Sequence, residues 1–198
     1  MYFIYDNINN YTNNEFKTMF KSLNTNDKNK INKLINNQNK KLSILSKYLL
    51  KNILSQKYDL DYNNIYYNEF NKPLIDGIYF NISHSNNYVA ICFSDKRIGI
   101  DIEKIREVNL NIINSFCTEK EKKYILNSEN KYKSMFEIFC LKEAYFKMLG
   151  TNLFNIKKIE FNINSNSIFS SSNKNINIKV NYDIPNYIIT IIEETGEI

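Results

Sequence analysis

The feature that most constrains the fold is a short stretch in which apolar and polar residues alternate strictly. In the run I-G-I-D-I-E at 98–103, three isoleucines alternate with Gly99, Asp101 and Glu103. Alternation with a period of two predicts a β-strand with one buried and one polar face. Asp101 and Glu103 then point the same way, with Gly99 clearing space beside them. Such a pair also suits the solvent face of an edge strand, but two adjacent carboxylates repel each other unless a cation lies between them.

The run N-I-S-H-S lies just upstream and contains the single histidine of the chain, His84, directly after Ser83. Strands are predicted over 79–83 and 88–94, and the polar segment 84–87 is predicted to form the turn that joins them. The local prediction is a paired-carboxylate cation site with hydroxyl and imidazole donors on a neighbouring turn. Taken alone, His84 is more typical of an ordinary loop histidine than of a functional one.

A long helix is predicted over 131–149, with Gly150 as its C-cap. Phe139, Glu143 and Lys147 are spaced i, i+4 and i+8, so they share one helical face. The same spacing also describes an ordinary exposed ion pair on a helix surface. These three side chains are the second candidate group of functional residues.

The composition indicates a globular protein, since 43% of the 198 residues are hydrophobic and 24% are charged. Both halves of the chain show helical segments followed by strand-like runs. The run T-E-K-E that begins at Thr118 has the capping-box pattern and predicts the start of a helix. Strands are also predicted over 65–70, 156–164 and 167–171. We therefore expect an α+β fold with two similar lobes, residues 1–95 and 96–198, related by a pseudo-two-fold axis. The active site is expected in the cleft between the lobes, near Asp101.

The charge and cysteine content narrow the functional classes. The formal net charge of +5 suits an anionic partner, without deciding which kind. The three cysteines are scattered without C-x-x-C spacing, which argues against a structural zinc site or a disulfide framework. No apolar run approaches the length of a membrane span, and the N-terminus lacks a signal-peptide layout, so we expect no membrane association and a cytoplasmic location.

Three motifs occur in order along the chain: N-I-S-H-S, G-I-D-I-E and K-E-A-x-x-K. This order resembles the 4′-phosphopantetheinyl transferase superfamily, in its larger pseudo-dimeric, surfactin-synthetase-activating class. The resemblance is strongest over 65–150. It implies transfer of the phosphopantetheine arm of coenzyme A to a serine of an apo acyl or peptidyl carrier protein, with release of 3′,5′-ADP. It also implies a requirement for Mg²⁺.

The resemblance assigns roles to the two candidate groups. Asp101, Glu103 and Glu143 are implied metal ligands, which form the all-oxygen donor set that Mg²⁺ prefers. Glu143 and Lys147 are the implied catalytic residues. Glu143 would accept the serine proton, and Lys147 would contact the pyrophosphate.

The resemblance also assigns coenzyme A contacts: Lys28, Lys41, Lys72, Ser83, His84, Lys142 and Lys147. Lys72 corresponds to the lysine of a G-K-P turn, in which Asn71 replaces the glycine and tolerates a positive φ. Lys28 and either Lys41 or Lys47 would reach the 3′-phosphate. Lys142 would contact a phosphate or position the serine.

The expected partners are coenzyme A and an apo carrier protein, with no nucleic acid, and a monomer suffices when both lobes are in one chain. Apolar residues flanking the second-lobe helices either form the carrier surface or belong to the core; they are Ile112, Ile113, Phe116 and Tyr124. One alternative function is a non-catalytic module that binds coenzyme A or a carrier. Another is a basic, tyrosine-rich nucleic-acid binder, but no helix-turn-helix or RNP-like motif supports it.

Overall fold

The computed structural model describes residues 1–151, 156–163, 169–171 and 175–196. The α-helices are α1 Asn13–Ser22, α2 Thr25–Asn32, α3 Asn37–Tyr58, α4 Ile113–Phe116, α5 Glu119–Asn127 and α6 Lys131–Leu149. The strands of the first half are β1 Tyr2–Asn7, β2 Tyr66–Tyr67, β3 Pro73–Leu74, β4 Tyr79–Ser85 and β5 Tyr88–Ser94. The strands of the second half are β6 Ile98–Lys104, β7 Phe161–Ile163, β8 Phe169–Ser171, β9 Ile176–Asn181 and β10 Tyr187–Glu194.

Two three-stranded antiparallel sheets organise the molecule. The first has the order β1-β5-β4 and the second the order β6-β10-β9. Helix α3 packs against β5, whereas α6 packs against β6 and β10. Each sheet with its helices forms one lobe, which confirms the predicted two-lobed α+β architecture.

The two sheets meet along β4 and β6. These strands are joined by hydrogen bonds from backbone N–H groups of β6 to side-chain oxygens of β4. The backbone N–H of Ile100 donates to Oδ1 of Asn81 at 3.1 Å, and that of Lys104 donates to Oγ of Ser85 at 3.1 Å. A shared core closes the junction, because the isoleucines of β6 pack with Ala90 of β5. The junction therefore holds β4 and β6 side by side, in a fixed register.

Strand β6 is more deeply buried than the alternation predicted. Its isoleucines are fully buried, as expected, but Gly99 and Asp101 on the other face are buried as well. The reason is that α6 covers this face. A Cβ on Gly99 would lie 2.0 Å from the carbonyl O of Ala144 and 2.4 Å from the N of Met148. Gly99 therefore admits the helix backbone, rather than clearing space for the carboxylates.

Several local predictions are confirmed. Helix α6 has the predicted bounds, and Gly150 caps it in the left-handed conformation with a φ of 71°. The capping box predicted at Thr118 is present at the start of α5. Asn71 adopts the positive φ, 59°, that its place in the N-K-P turn required.

Other local predictions are wrong in detail. The turn predicted over 84–87 is shorter, because β4 continues through His84 to Ser85 and Asn86 alone takes a positive φ of 51°. The strand predicted over 65–70 is only two residues long.

The strand predicted over 156–164 starts with a 3-10 helix, Ile156–Lys158, before β7. The remainder of that prediction, and part of the strand predicted over 167–171, lie outside the described residues. No helix in the described ranges has both the length and the apolar character needed to cross a bilayer.

Candidate active site

A cavity of about 390 Å³ lies where the two sheets meet, beneath α6. Three elements supply its lining, which consists of Ile82, Ser83, His84, Asp101, Glu103, Phe139, Glu143 and Lys147. The cavity thus brings together the strand pair of carboxylates, the Ser-His pair and the shared face of the long helix. The helix glutamate and the two strand carboxylates converge, although they are about forty positions apart in the sequence.

Asp101 is the central side chain of the cavity, with only 4% of its surface exposed. Its Oδ1 accepts hydrogen bonds from Ser83 Oγ at 2.8 Å and from Lys147 Nζ at 2.7 Å. Lys147 Nζ also donates to Ser83 Oγ at 2.9 Å, which closes a triangle. Oδ2 of Asp101 is buried and has no hydrogen-bond partner among the described residues. A buried carboxylate oxygen without a partner is costly, and a cation would satisfy it.

Burial and the charge of Asp101 both shift the pKa values of the other two carboxylates. Burial raises the pKa of Glu143, and repulsion from Asp101 raises it further. The pKa of Glu103 is raised by the same two causes, in the same order, although Ser85 Oγ donates to its Oε2 at 3.0 Å. The cavity therefore holds more negative charge than its own residues neutralise.

The two basic groups of the cavity respond in opposite ways. Burial is the largest single effect on the pKa of Lys147 and lowers it, but the attraction and hydrogen bond of Asp101 and the charge of Glu143 together raise that pKa, so the ammonium stays charged. Burial lowers the pKa of His84, and the positive charge of Lys147 lowers it further. The cavity therefore favours the neutral form of the His84 imidazole, because its pKa lies below the ordinary value.

The donor set of the cavity suits a hard divalent cation. Three carboxylates, one with an unpaired buried oxygen, are the oxygen ligands that Mg²⁺ takes in proteins. Among the described residues, no group of three or more acidic, histidine or cysteine side chains already has the arrangement of a metal-binding site. In this conformation the ammonium of Lys147 is the cation that neutralises Asp101.

The structure does not bring Lys142 to the cavity, contrary to the prediction. The side chain is fully buried, pairs with Glu121 at 2.7 Å and donates to the carbonyl O of Phe116 at 2.7 Å. Lys142 precedes Glu143, and one residue turns a helix by about 100°, so the two side chains leave different faces. The sequence indicated this burial, because Ile138, Lys142 and Tyr145 are spaced i, i+4 and i+7 and therefore share one helical face. Ile138 and Tyr145 on that face are both buried.

The lysines predicted to reach the 3′-phosphate also lie elsewhere. Lys28 Nζ donates to the carbonyl O of Lys21 at 2.8 Å. Lys41 Nζ lies 5.2 Å from the ring centre of Phe16, and it lines a separate cavity between the first three helices. Lys47 forms an ion pair with Asp27 at 2.7 Å. None of these lysines lines the central cavity.

Lys72 lies next to the central cavity rather than in it. It lines a smaller cavity of about 190 Å³ that shares Ile82 and Lys147 with the central one. Its Nζ donates to the carbonyl oxygens of Lys147 and Met148, at 2.6 and 3.1 Å. Burial lowers its pKa to about 8.

Sequence reasoning missed two groups that hold Glu103. Ser85 Oγ is one, and Arg106, whose Nη1 lies 3.4 Å from Glu103 Oε2, is the other. Ser85 could have been found from the period of two that relates it to Ser83. Of the apolar residues considered for a partner surface, Ile113 and Phe116 belong to the core, whereas Ile112 is 51% exposed.

Comparisons with known proteins agree on one family. A family model described as "4'-phosphopantetheinyl transferase, N-terminal" matches residues 10–96, and one described as "4'-phosphopantetheinyl transferase superfamily" matches residues 97–192. The chain is 34% identical over 117 residues to the 4′-phosphopantetheinyl transferase gsp of Aneurinibacillus migulanus, covering 57% of this chain and 49% of that protein.

One further relative is similar in sequence, and one solved structure matches part of the chain. The transferase Sfp of Bacillus subtilis (strain 168) is 30% identical over 118 residues, which cover 56% of this chain and 53% of Sfp. The chain therefore spans about half the length of the curated relatives it matches. A crystal structure of Thermotoga maritima holo-[acyl-carrier-protein] synthase matches with a TM-score of 0.43 and 23% identity, covering 50% of this chain and 63% of that one.

Proposed function

Because this chain belongs to the 4′-phosphopantetheinyl transferase superfamily, we propose that it transfers the 4′-phosphopantetheine arm of coenzyme A to a serine of an apo acyl or peptidyl carrier protein. The second product is 3′,5′-ADP, and the reaction depends on Mg²⁺. The observation that carries the proposal is the convergence of Asp101, Glu103 and Glu143 on one cavity that also contains Lys147.

Asp101, Glu103 and Glu143 would hold the Mg²⁺. When bound, the ion supplies positive charge that offsets the negative charge of the pyrophosphate in the transition state. The unpaired Oδ2 of Asp101 and the raised pKa of both glutamates support this assignment.

Lys147, Ser83 and His84 would bind the pyrophosphate. Lys147 keeps its positive charge and already faces the carboxylates, so its ammonium can donate to a phosphate oxygen as charge builds there. Ser83 Oγ lies within hydrogen-bond distance of Lys147 Nζ, and His84 lines the same cavity. As a neutral ring, His84 would donate one N–H to the nucleotide rather than a charge.

In the transfer itself, the serine oxygen of the carrier forms a bond to the phosphorus that bears the pantetheine arm. The bond from that phosphorus to the oxygen of 3′,5′-ADP breaks, and the leaving group takes the bonding electrons. The serine loses its proton, and Glu143 is the group that we propose accepts it. The position of Glu143 supports this role, because its carboxylate lines the proposed reaction cavity together with Lys147.

The proposed partners are coenzyme A and an acidic carrier protein, and the net charge of +5 suits both. We propose that the chain acts as a monomer, since residues of both lobes line the cavity within one chain. A cytoplasmic location remains part of the same proposal.

The test is the mass of an apo carrier protein after incubation with coenzyme A, Mg²⁺ and this protein. Carriers of fatty-acid and of secondary metabolism are assayed side by side, and we expect at least one to gain the mass of the arm. Asp101→Ala and Glu143→Ala should abolish the gain while circular dichroism shows both variants folded. Coenzyme A binding without any mass gain, while a reference transferase modifies the same carriers, would favour a non-catalytic binding module instead.

A further inference from the structure

The C-terminal end of α6 is held by a residue from the other lobe. The last carbonyls of a helix have no partner within the helix itself. In α6, the carbonyls of Lys147 and Met148 accept hydrogen bonds from Nζ of Lys72, at 2.6 and 3.1 Å. Lys72 directly precedes the first-lobe strand β3 along the chain, whereas α6 packs on the second sheet. The contact therefore crosses from one lobe to the other.

Asn68 completes the connection. Its Nδ2 donates to the carbonyl O of Gly150 at 3.0 Å, just past the end of α6. Its Oδ1 accepts from the backbone N–H of Phe70 at 3.0 Å and of Lys72 at 2.9 Å. The positive φ of Asn71 brings the chain round between them. One asparagine thus orders the turn and binds the helix end.

The chemistry of this contact is that of a helix C-cap. A cation near the C-terminus of a helix interacts favourably with the helix dipole and with the free carbonyls. The approach is close, since a Cβ on Gly150 would lie 3.1 Å from Cδ of Lys72 and 3.3 Å from Nδ2 of Asn68. Two of the three ammonium donors of Lys72 are occupied by these carbonyls.

Helix α6 carries Glu143 and Lys147 into the central cavity, and Lys147 lies in the turn that Lys72 holds. We propose that Lys72 and Asn68 are positioning residues: they fix the end of α6 so that the Lys147 ammonium reaches Asp101 and Ser83. Lys72 acts through the Lys147 backbone and not as a ligand of the nucleotide. This inference rests on the proposed transferase function.

The experiment compares Lys72→Met with Lys51→Met. Lys51 is a matched control because its Nζ donates, at 2.6 Å, to the carbonyl O of Ser22 at the C-terminus of α1, away from the cavity. For Lys72→Met we expect kcat to fall about ten-fold or more, since small misplacements of a catalytic group are costly. The KM and the dissociation constant for coenzyme A should change less than about two-fold. Lys72→Arg should restore most of kcat, and Lys51→Met should match the wild type.

Hydrogen exchange gives a readout that does not depend on turnover. The amides of Gly150 and Thr151 donate to the carbonyl O of Phe146. In Lys72→Met both amides should exchange faster, because the helix end frays. In Lys51→Met they should be unchanged, and the faster amide should instead be that of Leu23, at the end of α1.

The outcomes separate the two proposals. If the wild type modifies no carrier, the proposed function fails, and the exchange data still decide whether Lys72 holds the helix. If the wild type is active and Lys72→Met weakens coenzyme A binding with kcat unchanged, Lys72 is a nucleotide contact and the inference is overturned. Unchanged exchange at Gly150 would also overturn it. Should Lys72→Met fail to fold, Asn68→Ala replaces it, with the same expected fall in kcat and the same contradicting results.

Discussion

At the scale of single residues, two adjacent helix positions, Lys142 and Glu143, have opposite environments. Glu143 faces the cavity, whereas Lys142 is buried and donates from its Nζ to the carbonyl O of Phe116 in α4 and of Ile156 after α6. The buried lysine is compensated by Glu121, which is itself fully buried and also accepts from the backbone N–H of Phe161 at 3.2 Å. The pair is therefore a structural element of the second lobe.

Lys142→Met should destabilise the protein by about 3–5 kcal/mol, because it leaves the Glu121 charge buried without its partner. The control is Lys122→Met, which removes a pair with the exposed Glu119 and should cost at most about 1 kcal/mol. Urea unfolding measures both free energies. Unchanged stability together with weaker coenzyme A binding in Lys142→Met would instead support the phosphate contact that the sequence suggested.

At the scale of elements, the site depends on how closely α6 approaches β6. Gly99 is the point of contact, since any side chain there would meet the helix backbone, which cannot move aside independently. Strand β6 carries Asp101 and Glu103 two and four residues further on, and α6 carries Glu143. The separation of the strand carboxylates from the helix glutamate is therefore set at Gly99.

Gly99→Ala should destabilise the protein by about 3 kcal/mol or more, because a Cβ overlaps backbone atoms of Ala144 and Met148. Gly196→Ala is the control, since its Cβ would meet only the side chain of Asn175, at 3.4 Å or more. Thermal or urea unfolding distinguishes them. Equal stability of Gly99→Ala and the wild type would show that α6 lies further from β6 than described here.

The elements also show what the sequence could and could not predict. Helix α6, its C-cap at Gly150 and the capping box at Thr118 depend on local spacing, and all were predicted correctly. The convergence of Asp101 and Glu143 on one cavity was suggested by motif order, and only tertiary packing places them together. The positions of the Lys28 and Lys41 side chains could not be predicted from the sequence, because they depend on how α1, α2 and α3 pack together.

At the scale of the whole molecule, burial of its thiols links stability to pH. Cys92, Cys117 and Cys140 are all buried, and burial raises the pKa of each thiol. For Cys117 the value is about 12, compared with an ordinary value of 9.0. The folded state then keeps protons that the unfolded state loses above pH 9, so stability must fall as the pH rises past that point.

We expect each buried thiol to cost about 2 kcal/mol of folding free energy between pH 9 and pH 10.5. Urea unfolding at pH 8 and pH 10.5 measures the loss. Cys117→Ala should show a smaller difference between the two pH values than the wild type, whatever its stability at pH 8. An equal difference in the variant would mean that Cys117 is not protected from ionisation by the fold.

The whole molecule is also what makes the cavity, because the first lobe supplies Ser83 and His84 and the second supplies the carboxylates. The central claim is that Asp101, Glu103 and Glu143 share one divalent ion. The most direct test is Mn²⁺ binding, followed by electron paramagnetic resonance with coenzyme A present, since Mn²⁺ prefers the same oxygen ligands as Mg²⁺. We predict one bound ion per wild-type chain and loss of that ion in Asp101→Asn and in Glu143→Gln alike. Full Mn²⁺ binding by folded Glu143→Gln would place the metal elsewhere and contradict the account.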